Sequence, residues 1–233
     1  MRLLLCSDFS GIGYKYITKF FKSTKGLNCL FIGYAQEDED ELQSYGAIRL
    51  KEYGINVISL SKNYDFNDKI DIIFVRGGNT TRLIHYLRKY SQYEKIKNLV
   101  EKQNVLYIGS SAGAVLAGTD TAWTLPSEPY EYNLTEMFGE NVLKGFGFID
   151  KLVFVHCSKH RMCWRCEMLN EKDLFRTFDN ECYPAYLEDK KIFKRNEYVK
   201  INNNQVFLVD GDLKKMLSYN WYNLPIKNVS QAE

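Results

Sequence analysis

A segment of small residues near the middle of the chain has the pattern of a nucleophile elbow. Gly109–Gly113 (GSSAG) fits Gly-x-Ser-x-Gly and continues the apolar run Val105–Gly109 (VLYIG) into a helical pattern. Such a turn needs small residues because the backbone folds back on itself there and lifts the serine hydroxyl out of the sheet edge. The pattern predicts that Ser111 is a nucleophile. The alternative is a turn that only allows close packing between strand and helix.

A second turn of small residues, Gly77–Thr80 (GGNT), also lies between a strand pattern and a helix pattern. A Gly-Gly pair lets the backbone approach a ligand and direct N–H groups at it, as half of an oxyanion hole requires. The alternative is an ordinary strand–helix turn in which Thr80 caps the helix. Taken alone, the turn favours this second interpretation.

The candidate general base is His156, which directly follows the apolar run Leu152–Val155. A histidine at a strand end is placed to take a proton from a serine on a neighbouring strand end. His160 is the second candidate, and His85 lies inside a helical pattern, where a packing role is expected. A triad also needs an acid, and spacing does not choose among the carboxylates between serine and histidine: Asp120, Glu128, Glu131, Glu136, Glu140 and Asp150.

The segment that begins at His156 also contains residues of the types that bind zinc. They are His156, Cys157, His160, Cys163 and Cys166. The sequence holds only one Cys-x-x-Cys pair, and on a helix Cys163 and Cys166 would share a face as small buried residues. We therefore expect no metal. We also expect no cofactor, since Tyr16 stands where a dinucleotide-binding fingerprint needs glycine and no phosphate-binding loop occurs.

Alternating strand and helix patterns position these residues in an α/β fold. The strand patterns are Arg2–Cys6, Asn28–Gly33, Asn56–Leu60, Asp71–Val75 and Val105–Gly109. Helical patterns between them place three apolar sets on one face each: Leu42, Tyr45 and Ile48; Leu83, Ile84 and Leu87; Tyr93, Ile96 and Val100. Continuous apolar strands predict a mostly parallel sheet flanked by helices on both faces, whose carboxyl edge gathers the two turns and His156.

The pattern changes towards the end of the chain. A strand pattern at Phe148–Val155 and a helix pattern over about 162–178 come first. Short strand patterns follow, typical of antiparallel hairpins at a sheet edge: Cys182–Leu187, Ile192–Phe193, Tyr198–Ile201 and Val206–Val209. Because no repeat or linker-like tract interrupts residues 1–233, a single domain is predicted.

The composition excludes several classes of protein. Of 233 residues, 45% are hydrophobic and 26% are charged, and the net charge of +2 lacks the basic excess of a nucleic-acid-binding domain. No apolar stretch has the length of a membrane span, and Leu3–Cys6 is too short for the core of a signal peptide. We therefore expect a cytoplasmic protein with reduced cysteines that binds neither membrane nor nucleic acid.

Three segments together resemble the peptidase E (aspartyl dipeptidase) family of serine peptidases, which includes the cyanophycinases. In the family's order, they are FVRGGNTTRLIHYLR, VLYIGSSAGAVLAGT and GFGFIDKLVFVHCSKHR. The resemblance implies a class I glutamine amidotransferase-like (flavodoxin-like) fold. It also implies Ser111 as nucleophile, His156 as general base, and Gly78 and Ala112 as backbone donors of the oxyanion hole. The family's acid follows the elbow helix and corresponds best to Glu128 here, with Glu131 and Asp120 as competitors.

The resemblance further implies a serine exopeptidase that hydrolyses small peptides, with dipeptides that begin with Asp as the implied substrates. Such a preference needs a cation, and four residues are candidates: Arg76, Arg82, Lys159 and Arg161. We expect Arg76 and Arg161, with Asn79 of the second turn, to contact the substrate.

Two other functions are compatible with the same residues. An esterase of the α/β-hydrolase type shares the elbow and the Ser–acid–His order, although the histidine would then be expected later in the chain. A binding module would keep the scaffold without turnover. Both a monomer and a homodimer are compatible with the sequence.

Overall fold

The computed structural model describes residues 1–9, 13–37, 41–121, 124, 139, 143–156, 175–178, 181–184, 198–201 and 205–218. The strands in this part of the chain are β1 (Arg2–Cys6), β2 (Asn28–Ile32), β3 (Asn56–Ser59), β4 (Ile72–Val75), β5 (Leu106–Ser110), β6 (Leu152–Val155), β7 (Phe175–Phe178), β8 (Glu181–Pro184), β9 (Tyr198–Ile201), β10 (Gln205–Asp210) and β11 (Leu213–Ser218). Seven of them form one sheet in the order β11-β10-β1-β5-β4-β2-β3. The five strands from β1 to β3 in that order pair in parallel, and β10 and β11 add an antiparallel flank.

The helices of the described residues each come after one of the parallel strands in the chain. They are α1 (Gly13–Ile17), α2 (Tyr45–Glu52), α3 (Thr80–Lys89), α4 (Tyr93–Gln103) and α5 (Ala112–Leu116), with a 3₁₀ turn at Glu41–Gln43. Ser44 and Asn79 cap α2 and α3, because each side-chain oxygen accepts a bond from a backbone N–H in the first turn. Within the described ranges, no helix is both long enough and apolar enough to cross a membrane.

The sheet separates two apolar layers, because alternate residues of each strand point to opposite faces. Leu3 and Leu5 of β1 pack on one side with buried residues of α3, α4 and α5. Leu4 and Cys6 pack on the other side with buried residues of α1 and α2. This arrangement explains why the central parallel strands are apolar along most of their length, and it confirms the predicted α/β sheet with helices on both faces.

The first five strand predictions are confirmed to within one residue at each end, but the predicted apolar face of α2 is wrong. Tyr45 and Ile48 are 56% and 40% exposed, whereas Ala47 and Leu50 are buried. The reason is the helix start: α2 begins after the Ser44 cap, and Leu42 belongs to the preceding 3₁₀ turn. The apolar faces predicted for α3 and α4 are buried as expected.

The C-terminal predictions need four corrections. The strand predicted at Phe148–Val155 is shorter, because residues 148–151 bend and β6 begins at Leu152. Residues 175–178, expected to end a helix, form β7, which pairs in antiparallel fashion with β8. Strand β9, expected in an antiparallel hairpin, pairs in parallel with β6, in register from Leu152 and Tyr198 to Val155 and Ile201. Strand β11 was not predicted, because Lys214 and Lys215 interrupt its apolar pattern. The predicted strand at 192–193 and the predicted helix over 162–174 lie outside the described residues.

Candidate active site

Ser111 lies at the turn between β5 and α5, as the elbow pattern predicts. Its backbone has φ 48° and ψ −109°, a conformation that residues other than glycine rarely adopt. The Ser111 N–H donates to the Cys6 carbonyl at 2.9 Å, so the neighbouring strand β1 holds the turn. The Ser111 side chain makes no capping bond to α5, which leaves its hydroxyl directed to another partner.

Two glycines explain why the turn needs residues without a side chain. A Cβ atom on Gly109 would lie 2.5 Å from the Gly113 carbonyl oxygen, and one on Gly113 would collide with the Val75 carbonyl oxygen. The buried Tyr107 hydroxyl donates to the same Gly113 oxygen at 2.6 Å. The elbow therefore folds tightly on its own backbone and packs against the Val75 carbonyl of β4, which fixes the position of Ser111.

The structure brings the predicted base to the predicted nucleophile. His156 follows β6, and its Nε2 lies 2.9 Å from the Ser111 Oγ. The His156 side chain is buried, at 9% exposure, and its backbone has φ 58°, again in the left-handed region. Its backbone N–H donates to the Ser7 Oγ at 2.9 Å. Two residues that are 45 positions apart thus form the hydrogen-bonded pair that proton transfer requires.

The Gly77–Gly78 turn lies directly against Ser111. A Cβ atom on Gly77 would lie 2.8 Å from the Ser111 Cβ, so only glycine allows this approach. Gly78 has φ 144°, and a Cβ there would collide with the Ala35 carbonyl oxygen. Gln36 Nε2 donates to the Gly77 carbonyl at 3.0 Å and fixes the turn from the other side.

Asn79 follows this turn as the cap of α3. Its Oδ1 accepts from the Arg82 N–H at 2.8 Å, and its own N–H donates to the Ala35 carbonyl at 2.8 Å. The helix cap therefore lies at Asn79, and the interpretation that placed it at Thr80 is corrected by one residue. The observed role of the Asn79 side chain is to fix the start of α3 behind the Gly77–Gly78 turn.

Ser111 and His156 open into a cavity of about 360 Å³ at the carboxyl edge of the sheet. Arg76 and Gly78, both predicted site residues, are among the residues that line it. Sequence reasoning missed Ser7 and Asp8, which also line the cavity. The sequence could have indicated both residues, because they directly follow β1 and the carboxyl ends of parallel strands lie at one edge of the sheet.

Of the four candidate cations, the structure describes Arg76 and Arg82. Only Arg76 of these two lines the Ser111 cavity. Arg82 lies in a separate cavity of about 250 Å³ among tyrosines, where its Nη1 pairs with the Glu37 Oε1 at 3.0 Å. Lys159 and Arg161 lie outside the described residues.

Of the three leading candidates for the triad acid, the structure describes only Asp120. Glu128 and Glu131 lie outside the described residues, and Asp120 forms an isolated antiparallel bridge with Lys144. Of the possible zinc ligands, only His156 is described, and no group of three or more His, Cys, Asp or Glu side chains converges in the described part of the chain. The identity of the acid therefore stays a prediction.

A cysteine next to the site does not compete with Ser111 as nucleophile. Cys6 is fully buried, and its Sγ lies 3.6 Å from the Gly109 carbonyl oxygen. Burial raises the pKa of the Cys6 thiol well above its usual range, and the charge of Asp8 adds to this effect. The thiol is therefore protonated at neutral pH, whereas nucleophilic attack needs a thiolate.

Comparison with known proteins identifies a family. The family model "Peptidase family S51" matches residues 3–212. The chain is 32% identical over 138 residues to "Probable alpha-aspartyl dipeptidase" of Drosophila melanogaster and 28% identical over 134 residues to "Peptidase E" of Haemophilus influenzae. These alignments cover 56% and 53% of this chain but only 57% and 61% of the two curated relatives.

A solved structure shares the fold. It is the crystal structure of a "Putative Peptidase E Protein from Listeria monocytogenes EGD-e", which matches with a TM-score of 0.63 and 20% identity over 94% of this chain and 98% of that chain. The family match over residues 3–212 confirms the resemblance carried by the three sequence segments. The chain belongs to peptidase family S51.

Proposed function

We propose that this protein is a serine exopeptidase that cleaves dipeptides with an acidic first residue through an acyl-enzyme. The observation that carries the proposal is the 2.9 Å contact between the Ser111 Oγ and the His156 Nε2, at the mouth of a cavity, in a member of peptidase family S51. The strained Ser111 backbone supports the same role, because strain of this kind is typical of nucleophile elbows.

In the proposed reaction, His156 accepts the Ser111 proton on Nε2, which requires that the other ring nitrogen carries the resting proton. The Ser111 oxygen attacks the substrate carbonyl, and a tetrahedral intermediate forms. The C–N bond then breaks as His156 passes the proton to the leaving amine. Water, deprotonated by His156, attacks the ester, and the Ser111 oxygen takes the proton back. We propose that Glu128 holds the imidazole in this tautomer.

Two backbone N–H groups would stabilise the oxyanion of the tetrahedral intermediate. Ala112 is the first residue of α5, so its N–H has no acceptor within the helix. Gly78 lines the same cavity on a turn that packs against Ser111. Two donors from separate turns next to the nucleophile can bind the same oxyanion.

The charges that line the cavity support a preference for a free, acidic N-terminal residue. Arg76 would bind the carboxylate of the substrate side chain, since a guanidinium matches a carboxylate with two parallel hydrogen bonds. Asp8 would bind the substrate's α-ammonium group, which an exopeptidase must recognise. Arg161 stays a predicted substrate contact from the sequence alone.

We also propose that residues 1–233 act as a single domain in the cytoplasm, on peptides and without a nucleic-acid partner. The thiols of Cys6 and Cys29 support this location, because they are buried and unpaired, as expected in a reducing compartment. Family membership over residues 3–212 supports the single domain.

Matched substrates test the proposed activity. We expect hydrolysis of Asp-Leu, much slower hydrolysis of Asn-Leu and of N-acetyl-Asp-Leu, and covalent labelling of Ser111 by a fluorophosphonate. A p-nitrophenyl ester panel covers the esterase alternative. Efficient ester cleavage without dipeptide cleavage would favour the esterase, and a protein inert to every substrate and to the fluorophosphonate would be a binding module.

The role of Arg76 is tested with the same substrates. Arg76→Gln should lower kcat/KM for Asp-Leu by about 10- to 100-fold, the value of a hydrogen bond to a charged group, and leave Asn-Leu nearly unchanged. Arg82→Gln is the matched control, because Arg82 lies in the other cavity. A similar loss for both substrates would assign Arg76 a structural role instead.

A further inference from the structure

The end of β1 contacts both members of the Ser111–His156 pair. The Cys6 carbonyl accepts a hydrogen bond from the Ser111 N–H at 2.9 Å. The next residue, Ser7, accepts a hydrogen bond from the His156 N–H on its Oγ, also at 2.9 Å. Consecutive residues of one strand end thus hold the backbones of the nucleophile and the base.

The Ser7 hydroxyl is used as donor and acceptor at once. Besides accepting from His156, it donates to the Ile201 carbonyl at 2.6 Å, and Ser7 is only 1% exposed. Ile201 ends β9, and Val155, the register partner of Ile201, directly precedes His156. One buried side chain therefore connects β1 to the ends of β6 and β9.

This connection matters because β6 and β9 form a two-stranded sheet apart from the seven-stranded one. His156 has φ 58°, and such a backbone conformation in a residue other than glycine persists only when its surroundings hold it. The Ser7 hydroxyl binds the N–H of this strained residue directly. This hydrogen bond joins two residues that are 149 positions apart in sequence.

We infer that Ser7 is a positioning residue for the general base. Its hydroxyl holds the His156 backbone in the left-handed conformation and registers it against β1, which also holds Ser111, so that Nε2 stays within proton-transfer distance of the nucleophile. The inference rests on the proposed function for its kinetic consequence. The hydrogen bond itself has a consequence that needs no activity: Ser7 protects the His156 amide from exchange with solvent.

The test compares three Ser7 variants with the wild type. Ser7→Ala should lower kcat for Asp-Leu by about 10- to 100-fold, the cost expected when a reacting group is misplaced by roughly 1 Å. KM should change by less than about threefold, because the substrate contacts are retained. Ser7→Thr keeps a hydroxyl and should recover most of the lost kcat, whereas Ser7→Cys, with a weaker acceptor of similar size, should lie in between.

A matched control separates positioning from general loss of stability. The Thr24 Oγ1 donates to the Tyr53 carbonyl at 2.6 Å, the same bond length as that from Ser7 to Ile201, at the opposite end of the sheet. Thr24→Val removes this hydroxyl and should leave kcat unchanged. If Ser7→Ala does not fold, Ser7→Cys decides: a lowered kcat supports the inference, and a wild-type kcat overturns it.

Hydrogen–deuterium exchange at the His156 amide separates failure of the inference from failure of the proposed function. We expect slow exchange in the wild type and in Ser7→Thr, and faster exchange in Ser7→Ala at unchanged global stability. Wild-type kcat and wild-type exchange in Ser7→Ala would overturn the positioning role while the peptidase function stands. If the wild type hydrolyses no peptide and resists the fluorophosphonate, the proposed function fails, and amide exchange still decides the role of Ser7.

Discussion

The two members of the candidate catalytic pair stand on differently built parts of the molecule. Ser111 follows β5, which lies inside the seven-stranded sheet between β1 and β4. His156 follows β6, whose strand partner in the described residues is β9 alone. Both have positive φ angles, 48° and 58°, so both turns need support from their surroundings.

Main-chain groups support the Ser111 turn, whereas a side-chain hydroxyl contributes to the support of the His156 turn. At Ser111, backbone carbonyls surround the two glycines of the elbow, so any added atom meets a fixed obstacle. At His156, one hydroxyl, that of Ser7, binds the strained residue. Both turns follow buried core strands, but if the inference about Ser7 holds, the base depends in addition on one side-chain hydrogen bond that a substitution can remove. Substitutions of the supporting residues, as distinct from Ser111 and His156 themselves, should therefore change stability at the Ser111 turn and kcat at the His156 turn.

The largest effect is expected from the nucleophile itself. Ser111→Ala should lower dipeptide turnover by about 10⁴-fold or more, because removal of a triad member eliminates covalent catalysis. Steady-state hydrolysis of Asp-Leu measures the loss. Ser110→Ala is the matched control, since Ser110 carries the neighbouring hydroxyl and should leave most of the activity. Equal activity in Ser111→Ala and wild type would end the serine-peptidase mechanism.

On the base side, Glu128→Gln should lower turnover by about 10²–10⁴-fold with a smaller change in KM, because an amide can hold the imidazole in the wrong tautomer. Glu131→Gln and Asp120→Asn are the controls and should stay within about tenfold of wild type. If Glu131→Gln is the crippling variant, the family correspondence is displaced by three residues. If all three substitutions are mild, the pair works without an acid from this loop.

The same contrast explains what the sequence could and could not predict. The Ser111 turn was predictable because its requirements are local. Two glycines and a serine lie within five residues, directly after a strand pattern. His156 was predictable as a residue at a strand end. Its contact with Ser7 was not, because a single hydroxyl 149 residues away leaves no spacing signal. The pairing of β6 with β9 was missed for the same reason, since strand partners distant in sequence are chosen by tertiary packing.

A smaller effect, on stability, tests the backbone support around Ser111. Gly113→Ala would press a Cβ into the Val75 carbonyl oxygen, so β4 or the elbow must shift. We expect the free energy of unfolding in urea to fall by about 1–3 kcal/mol, the usual cost of overpacking. Gly46→Ala is the control: its Cβ would lie 3.5 Å from the Phe31 ring, an ordinary contact. Equal stability of the two variants would show that the elbow adjusts to the added methyl group, and the Ser111 turn would then not be held rigidly by the surrounding backbone.

The last prediction is that treatment with a metal chelator has no effect, although possible zinc ligands follow His156 in the sequence. His156 begins a segment with four further possible zinc ligands: Cys157, His160, Cys163 and Cys166. However, the His156 Nε2 lies 2.9 Å from the Ser111 Oγ, and zinc on that nitrogen would occupy the lone pair that must accept the serine proton. Dialysis against a chelator should therefore leave kcat and Tm unchanged, with far less than one zinc per chain by elemental analysis. One zinc per chain, lost together with activity, would make His156 a ligand instead of a base.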